Sequence, residues 1–171
     1  MTNNNKFRLA AGIFLAAAIF GATTTLAKVY AISGSDPVAA VEVPDDWKPT
    51  DIDNGIEMQS PDGDIYVAIE SVKADNITDV VAESVKVLAK QGLVIDKASK
   101  KIKDYEANGM KIHDIDYSGE DKDGSTEFAL TLVETPDPEK FVMLTFWGSK
   151  EAQKTNDAAI GSIMQSLKLT K

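Results

Sequence analysis

Residues 141–168 read FVMLTFWGSKEAQKTNDAAIGSIMQSLK, and this stretch decides the fold class. In its first seven residues Phe141, Met143 and Trp147 alternate with Val142, Leu144 and Phe146. Both faces of the expected strand are therefore apolar, and both must be covered. Ser149 follows with a hydroxyl suited to capping a helix. From Lys150 to Leu167 the apolar residues Ala152, Ala159, Ile160, Ile163, Met164 and Leu167 recur at helical spacing. A strand apolar on two sides that runs into an amphipathic helix is the signature of a layered α+β domain.

Working outward, Ile65–Ile69 is a second strand apolar on both alternating faces. Ser60-Pro61-Asp62-Gly63 before it is a turn, because proline presets the second position and glycine accepts positive φ. The turn joins it to a strand over Gly55–Gln59. Between the two double-faced strands, Ile77, Val80, Val81, Ser84, Val85 and Leu88 form a helical stripe, with Asn76 as cap and Gly92 as stop. A first strand is expected over Val38–Val43, ending at Pro44, and Asp45–Pro49 makes a loop around Trp47. Further strands are expected over Val94–Lys103, Met110–Tyr117 and Thr126–Glu134, separated by Asn108-Gly109 and by Glu120–Gly124, with Thr135–Pro138 turning into the last strand. These links are tight turns, so the pairing is antiparallel. The expected order is three strands, helix, four strands, helix: an antiparallel β-sheet of about six to seven strands flanked by helices on both faces, an α/β/α sandwich in one domain over residues 37–171.

The N-terminus has a different composition. Lys6 and Arg8 precede an uncharged apolar run from Leu9 to Ala22, shorter than the ~20 residues of a membrane-spanning helix. Residues 1–27 read as a signal peptide cleaved after Ala27. A cut after Ala31, or retention of the segment as an anchor, are the alternatives. Residues 28–36 lack periodicity and read as a linker. The protein is thus expected outside the cytoplasm, in the periplasm of a Gram-negative cell or otherwise secreted.

Of 171 residues, 43% are hydrophobic and 26% charged, with 27 acidic against 18 basic side chains, a net charge of -9 and no cysteine. The missing cysteine excludes disulfides, thiolate-bound metals, thiol catalysis and a lipid-modified N-terminus. Removing residues 1–27 takes away Lys6 and Arg8 and no acid, so the remainder is more acidic still. Such a surface repels phosphate backbones and anionic headgroups, which argues against nucleic acid and against membrane-surface binding. The chain also has no glycine-rich nucleotide loop of the kind a phosphotransfer kinase uses.

Three pieces of the sequence carry a family resemblance: VPDDW at 43–47, SPDG followed by DIYVAIESV at 60–72, and the closing stretch quoted above. Together they resemble the PsbP-like family, named for an extrinsic subunit of the photosynthetic oxygen-evolving complex and sharing its fold with a Ran-binding nuclear transport factor. The resemblance implies an antiparallel sheet flanked by helices, and a fold used mainly by accessory and binding proteins. It brings no catalytic motif with it.

No residue set stands out as catalytic, cofactor-binding or metal-binding, and none is assigned. His113 is the sole histidine, and its neighbours Asp114 and Asp116 point to the opposite face of a strand, so no local His–Asp cluster forms. Glu120–Gly124 lacks calcium-loop spacing and reads as a hairpin turn. Asp45, Asp46, Asp51 and Asp53 around Trp47 could line an acidic groove but are read as a solubilising surface, with Trp47 in the core. Ser60 and Ser118 lack the strand–nucleophile–helix setting of a hydrolase. Lys97, Lys100, Lys101 and Lys103 form the one basic cluster, read first as the guard of an edge strand and second as a docking site for an anionic partner. The expected function is that of an exported, monomeric, non-enzymatic accessory or binding module acting through a protein partner and needing no cofactor. The alternatives are a small-ligand or divalent-metal-binding protein, and then a carboxylate-based enzyme.

Overall fold

The computed structural model describes residues 26–33, 36–73 and 77–170. Most of the expected signal segment, Gly34 and Ser35 of the expected linker, and the Asn76 cap lie outside the described residues. In chain order the elements are β1 (Ala27–Ile32), β2 (Ala39–Pro44), a short 3-10 turn (Asp45–Trp47), β3 (Thr50–Ile52), β4 (Gly55–Gln59), β5 (Ile65–Lys73), α1 (Ile77–Lys90), β6 (Val94–Ala107), β7 (Met110–Asp121), β8 (Gly124–Glu134), β9 (Lys140–Gly148), α2 (Lys150–Ser166) and β10 (Lys168–Leu169). The strands form two antiparallel sheets, one of seven strands in the order β3-β4-β5-β9-β8-β7-β6 and one of three in the order β1-β2-β10. The fold is α+β.

Local chemistry accounts for the path. At the β4–β5 turn the Gly63 amide donates to the Ser60 carbonyl at 2.8 Å, and the buried Ser60 hydroxyl accepts from the Ile65 amide at 3.0 Å. After Lys90 the amides of Gly92 and Leu93 donate to the carbonyls of Ala89 and Leu88, closing the end of α1. Asn108 and Gly109 both take positive φ, +52° and +75°, as a two-residue type I′ hairpin requires. From β5 the chain crosses through α1 to the sheet edge at β6. It then returns by hairpins through β7 and β8, so that β9 lies beside β5. Ser149 caps α2 by accepting from the Ala152 amide at 3.1 Å.

Two apolar clusters hold the domain. Val142 and Leu144 of β9 pack in one, with Val41, Val43, Trp47, Ile56, Ile69, Ile163 and Leu167, which joins α2 and the small sheet to the large one. Met143, one residue away on the opposite alternation, packs in the other with Val81 and Leu88 of α1 and Ile115, Phe128, Leu130 and Leu132. The Tyr117 and Phe128 rings stack at 5.9 Å within it. Trp47 is 2% exposed and belongs to the core, as expected.

The sequence reading needs four corrections. Residues 28–32, expected as linker, are the body of β1. In this edge strand only Ile32 is buried, so no alternation marks it, and it is held by backbone pairing from Ala27–Pro44 to Ile32–Ala39. The strand over 38–43 does not join the main sheet but forms the middle of the small one. The loop after Trp47 contains β3, three residues with little apolar content. Past α2, which ends at Ser166 within one residue of the expected Leu167, lies β10, too short to carry a pattern and not expected.

Gly55 is required by close approach. A Cβ there would stand 1.9 Å from the Ile69 carbonyl oxygen, whereas a Cβ at Gly161 in α2 would meet nothing within 4 Å. Gly55→Ala is therefore expected to destabilise the domain by roughly 1–3 kcal/mol, and Gly161→Ala to stabilise it by about 0.5–1 kcal/mol. Urea midpoints measured at constant m-value report both signs.

Candidate functional site

A recess lies between α1 and β5. Alternation sends Tyr66, Ala68, Glu70 and Val72 to one face of β5, where they oppose Trp147, Thr145, Met143 and Phe141 of β9. Ala68 and Thr145 are small and face each other, so the sheet is low at that point. α1 packs over Met143, with the Ser84 hydroxyl 3.7 Å from its sulfur, and leaves the β5 side open. The result is a groove of about 610 Å³ walled by Val80, Val87 and Leu88 of α1.

Glu70 and Tyr66 are the titratable groups that β5 sends to the floor of this groove. Glu70 is half-buried, and burial pushes its carboxyl above the usual range. Its cross-strand neighbours are Gly55, which has no side chain, and Met143. No described side chain hydrogen-bonds or ion-pairs with it. The Tyr66 hydroxyl donates to Glu57 Oε2 at 2.9 Å; burial first, and then the adjacent carboxylate, push the phenol well above its usual range. Sequence reading missed Glu70 because IYVAIESV reads as continuous apolar strand. The signal is the carboxylate itself, on the same alternation as Ala68 and Val72.

His113 does have carboxylate partners, and they come from neighbouring strands. Its Nδ1 lies 2.9 Å from Asp104 Oδ1 on β6 and its Nε2 lies 3.2 Å from Glu134 Oε1 on β8. The Asp104 hydrogen bond holds the imidazole pKa up, burial opposes it, and Glu134 adds a further raising effect. The Glu134 carboxyl is in turn held low, first by His113 and then by Lys111, which lies 3.4 Å away. Asp104 was legible in the sequence: a two-residue Asn108-Gly109 turn pairs Ala107 with Met110 and so, three steps on, Asp104 with His113.

Asp114 and Asp116 lie on the other face, as alternation requires. There they border a cleft of about 270 Å³ beside α2, together with Tyr105, Phe146, Ile160 and Met164. Asp114 accepts from the Thr131 hydroxyl at 2.7 Å. Burial, and then Asp114, push the Tyr105 phenol up to about 12. Burial, and after it the neighbouring Asp114, raise the Asp116 carboxyl.

The remaining singled-out residues have structural partners or face solvent. Asp121 accepts from the Trp147 indole at 3.0 Å and from the Asp123 amide at 2.8 Å, so the Glu120–Gly124 segment is a stapled hairpin turn. Asp45, Asp46, Asp51 and Asp53 are exposed. The Ser60 hydroxyl donates to Asp62 within its turn, and the Ser118 amide donates to Ser99 Oγ at 2.7 Å. The lysines are spread over an irregularity. The β6–β7 register shifts between Asp96 and Lys101, so Lys97 and Lys100 ride on a bulge while Lys101 and Lys103 stand opposite Asp116 and Asp114. The Lys103 ammonium also lies 4.8 Å from the centre of the Tyr105 ring.

No family model matches the chain, and no curated protein does. Solved structures do. Cyanobacterial PsbP (CyanoP) from Synechocystis sp. PCC 6803 superposes with a TM-score of 0.58 at 12% identity, covering 90% of this chain and 98% of that one. A Bacteroides thetaiotaomicron protein gives 0.53 at 13% identity, with 84% of this chain matched to 48% of that one. LpqN of Mycobacterium tuberculosis, described as involved in cell envelope biogenesis, gives 0.52 at 14% identity over 85% of this chain and 92% of that one. The PsbP-like fold implied by the sequence resemblance is the fold of this chain.

The His113 bridge makes stability depend on pH in a defined direction. A raised folded-state pKa means that its contribution is complete below the unfolded value of about 6.5 and is lost as pH rises through the folded value. His113→Gln is expected to cost about 0.2–1 kcal/mol near pH 5.5, below the unfolded value, and to approach wild type as pH rises beyond the folded value. Parallel thermal melts across that range check it.

Proposed function

We propose that this chain is an exported, non-catalytic accessory module that engages a protein partner along the β6 edge. The observation that carries this reading is the edge itself. β6 is a 14-residue strand at the end of the seven-stranded sheet, with Val94 70% and Ile102 62% exposed. An unpaired edge offers backbone donors and acceptors to an added strand, and exposed aliphatic side chains give that strand something to pack on. Lys97, Lys100, Lys101 and Lys103 set its selectivity: they repel a second copy of the same edge and attract an acidic extended segment. That favours a monomer with a foreign partner. In this reading the large sheet carries α1 over one face, and α2 with the small sheet over the other, and both act as scaffold.

Export rests on the charged-then-apolar N-terminus, and the position of β1 supports cleavage after Ala27. Such a cut leaves Lys28–Ile32 to pair with Ala39–Val43, whereas a cut after Ala31 removes all of β1 but Ile32. No helix among the described residues is long and apolar enough to cross a membrane. The likeness to CyanoP and LpqN supports an accessory role only at the level of shared fold.

Cell fractionation with intact-mass analysis is expected to find the chain outside the cytoplasm, beginning at Lys28. A cytoplasmic chain with its first 27 residues intact would overturn export. A photo-crosslinker at position 102 is expected to trap one partner, and Lys97→Glu with Lys100→Glu to reduce the adduct about ten-fold. An equal adduct from the charge-reversed protein would overturn the edge as the docking surface.

A further inference from the structure

We infer that the groove between α1 and β5 binds a small organic ammonium ion, with the charged head at Glu70 and the hydrocarbon against Val80, Val87 and Leu88. This site is separate from the β6 edge and does not depend on it.

The first argument is an unmet charge. A carboxylate partly withdrawn from water is stabilised by a cation and loses out without one. Glu70 faces the groove with no ionic or hydrogen-bonding partner among the described side chains. The lysines at the rim do not supply it: Lys140 holds Asp36 at 3.1 Å and Asp137 at 3.5 Å, and Lys73 stands on the opposite alternation of β5. The glycine requirement at 55 keeps the cross-strand position beside Glu70 free of any side chain. The cation is expected from outside.

The second argument is the rest of the lining. Val87 is 44% exposed on the wall, Leu88 and Met143 are buried behind it, and Ala68 and Thr145 keep the floor low. A volume near 610 Å³ lies within the range of small-molecule sites, which join an apolar lining to a few placed polar groups. Charge then selects among ligands. The lining sets Glu70 and Glu83 against Lys73 and Lys140, but Lys140 is held by Asp36 and Asp137 and Glu83 by Lys86, which leaves Glu70 as the unpaired charge on the floor, on a protein whose net charge of -9 attracts cations and turns away anions. A bare divalent ion needs several converging oxygens, and here Glu83 pairs with Lys86 at 3.1 Å while Glu57 accepts from Tyr66. An ammonium head on an apolar body satisfies both the lone carboxylate and the aliphatic wall.

The test uses the isotope-labelled protein as isolated from the cell, titrated at pH 7 with phenethylamine, 2-phenylethanol and phenylacetate while amide resonances are followed. Phenethylamine is expected to shift the amides of Ala68, Glu70, Val87 and Thr145, to bind about ten-fold more tightly than the alcohol, and phenylacetate to leave them unmoved. Glu70→Gln is expected to reduce the amine to the level of the alcohol. In the wild type, amine binding is expected to weaken as pH falls through the range in which Glu70 takes up a proton, a readout that stands even if the variant fails to fold. Equal affinity for amine and alcohol, shifts confined to residues outside the groove, or amine binding indifferent to both Glu70→Gln and pH would each overturn the inference. The β6 crosslink reports separately on the partner reading, so either can fail alone.

Discussion

Register in the β6–β7–β8 meander governs the rest of this molecule. Side chains alternate with a period of two, so a slip of one residue at a hairpin would exchange the two faces of every strand beyond it. The positive-φ pair Asn108-Gly109 and the turn closed between Asp121 and Gly124 hold the meander in place. With that register Ile112 and Val133 face the cluster containing α2, while Ile115, Tyr117, Phe128 and Leu130 face the cluster containing α1. β9 inherits the same choice from β8 and passes it to β5, so the side of the sheet on which Glu70 emerges is decided several strands away.

What could be read in the sequence follows from which forces left a pattern there. β4 was legible to the residue, and α1 began and the Ser149 cap stood where periodicity and capping chemistry located them. The Ser60–Gly63 hairpin was legible because proline and glycine have few other uses in that order. β1, β3 and β10 were not, since a three-residue strand or an exposed edge is held by its partner's backbone, which does not select side chains. The division of the strands into two sheets was hidden for the same reason: Val38–Val43 is apolar and alternating whichever sheet it joins.

The sites divide along the same line. The His113 bridge to Asp104 needed only the rule for a two-residue turn, yet attention to sequence neighbours led to Asp114 and Asp116, which the pleat sends away. The groove at Glu70 was beyond that kind of arithmetic. It depends on β9 returning to lie beside β5, on a glycine opposite the carboxylate, and on the lateral position of α1. None of these is a local property of IYVAIESV. The acidic composition was misleading in one respect, because Asp121 acts as a staple for Trp147 and Asp114 as the acceptor for Thr131, so part of the negative charge is architectural.

The small sheet has a consequence for how the chain is held together. β2 is its centre, with β1 on one side and β10, the last described strand, on the other. Beyond the ladder the Thr170 amide reaches back to the Val38 carbonyl at 2.9 Å. β1 and β2 are neighbours in sequence and can pair as a local hairpin, but the third strand is drawn from beyond α2, far along the chain. Val41 and Val43 are covered only when Ile163 and Leu167, the residues with which they share a core, are in place. The small sheet is thus a latch between distant parts of the chain, and parting β2 from α2 and β10 would open an apolar seam along Val41 and Val43.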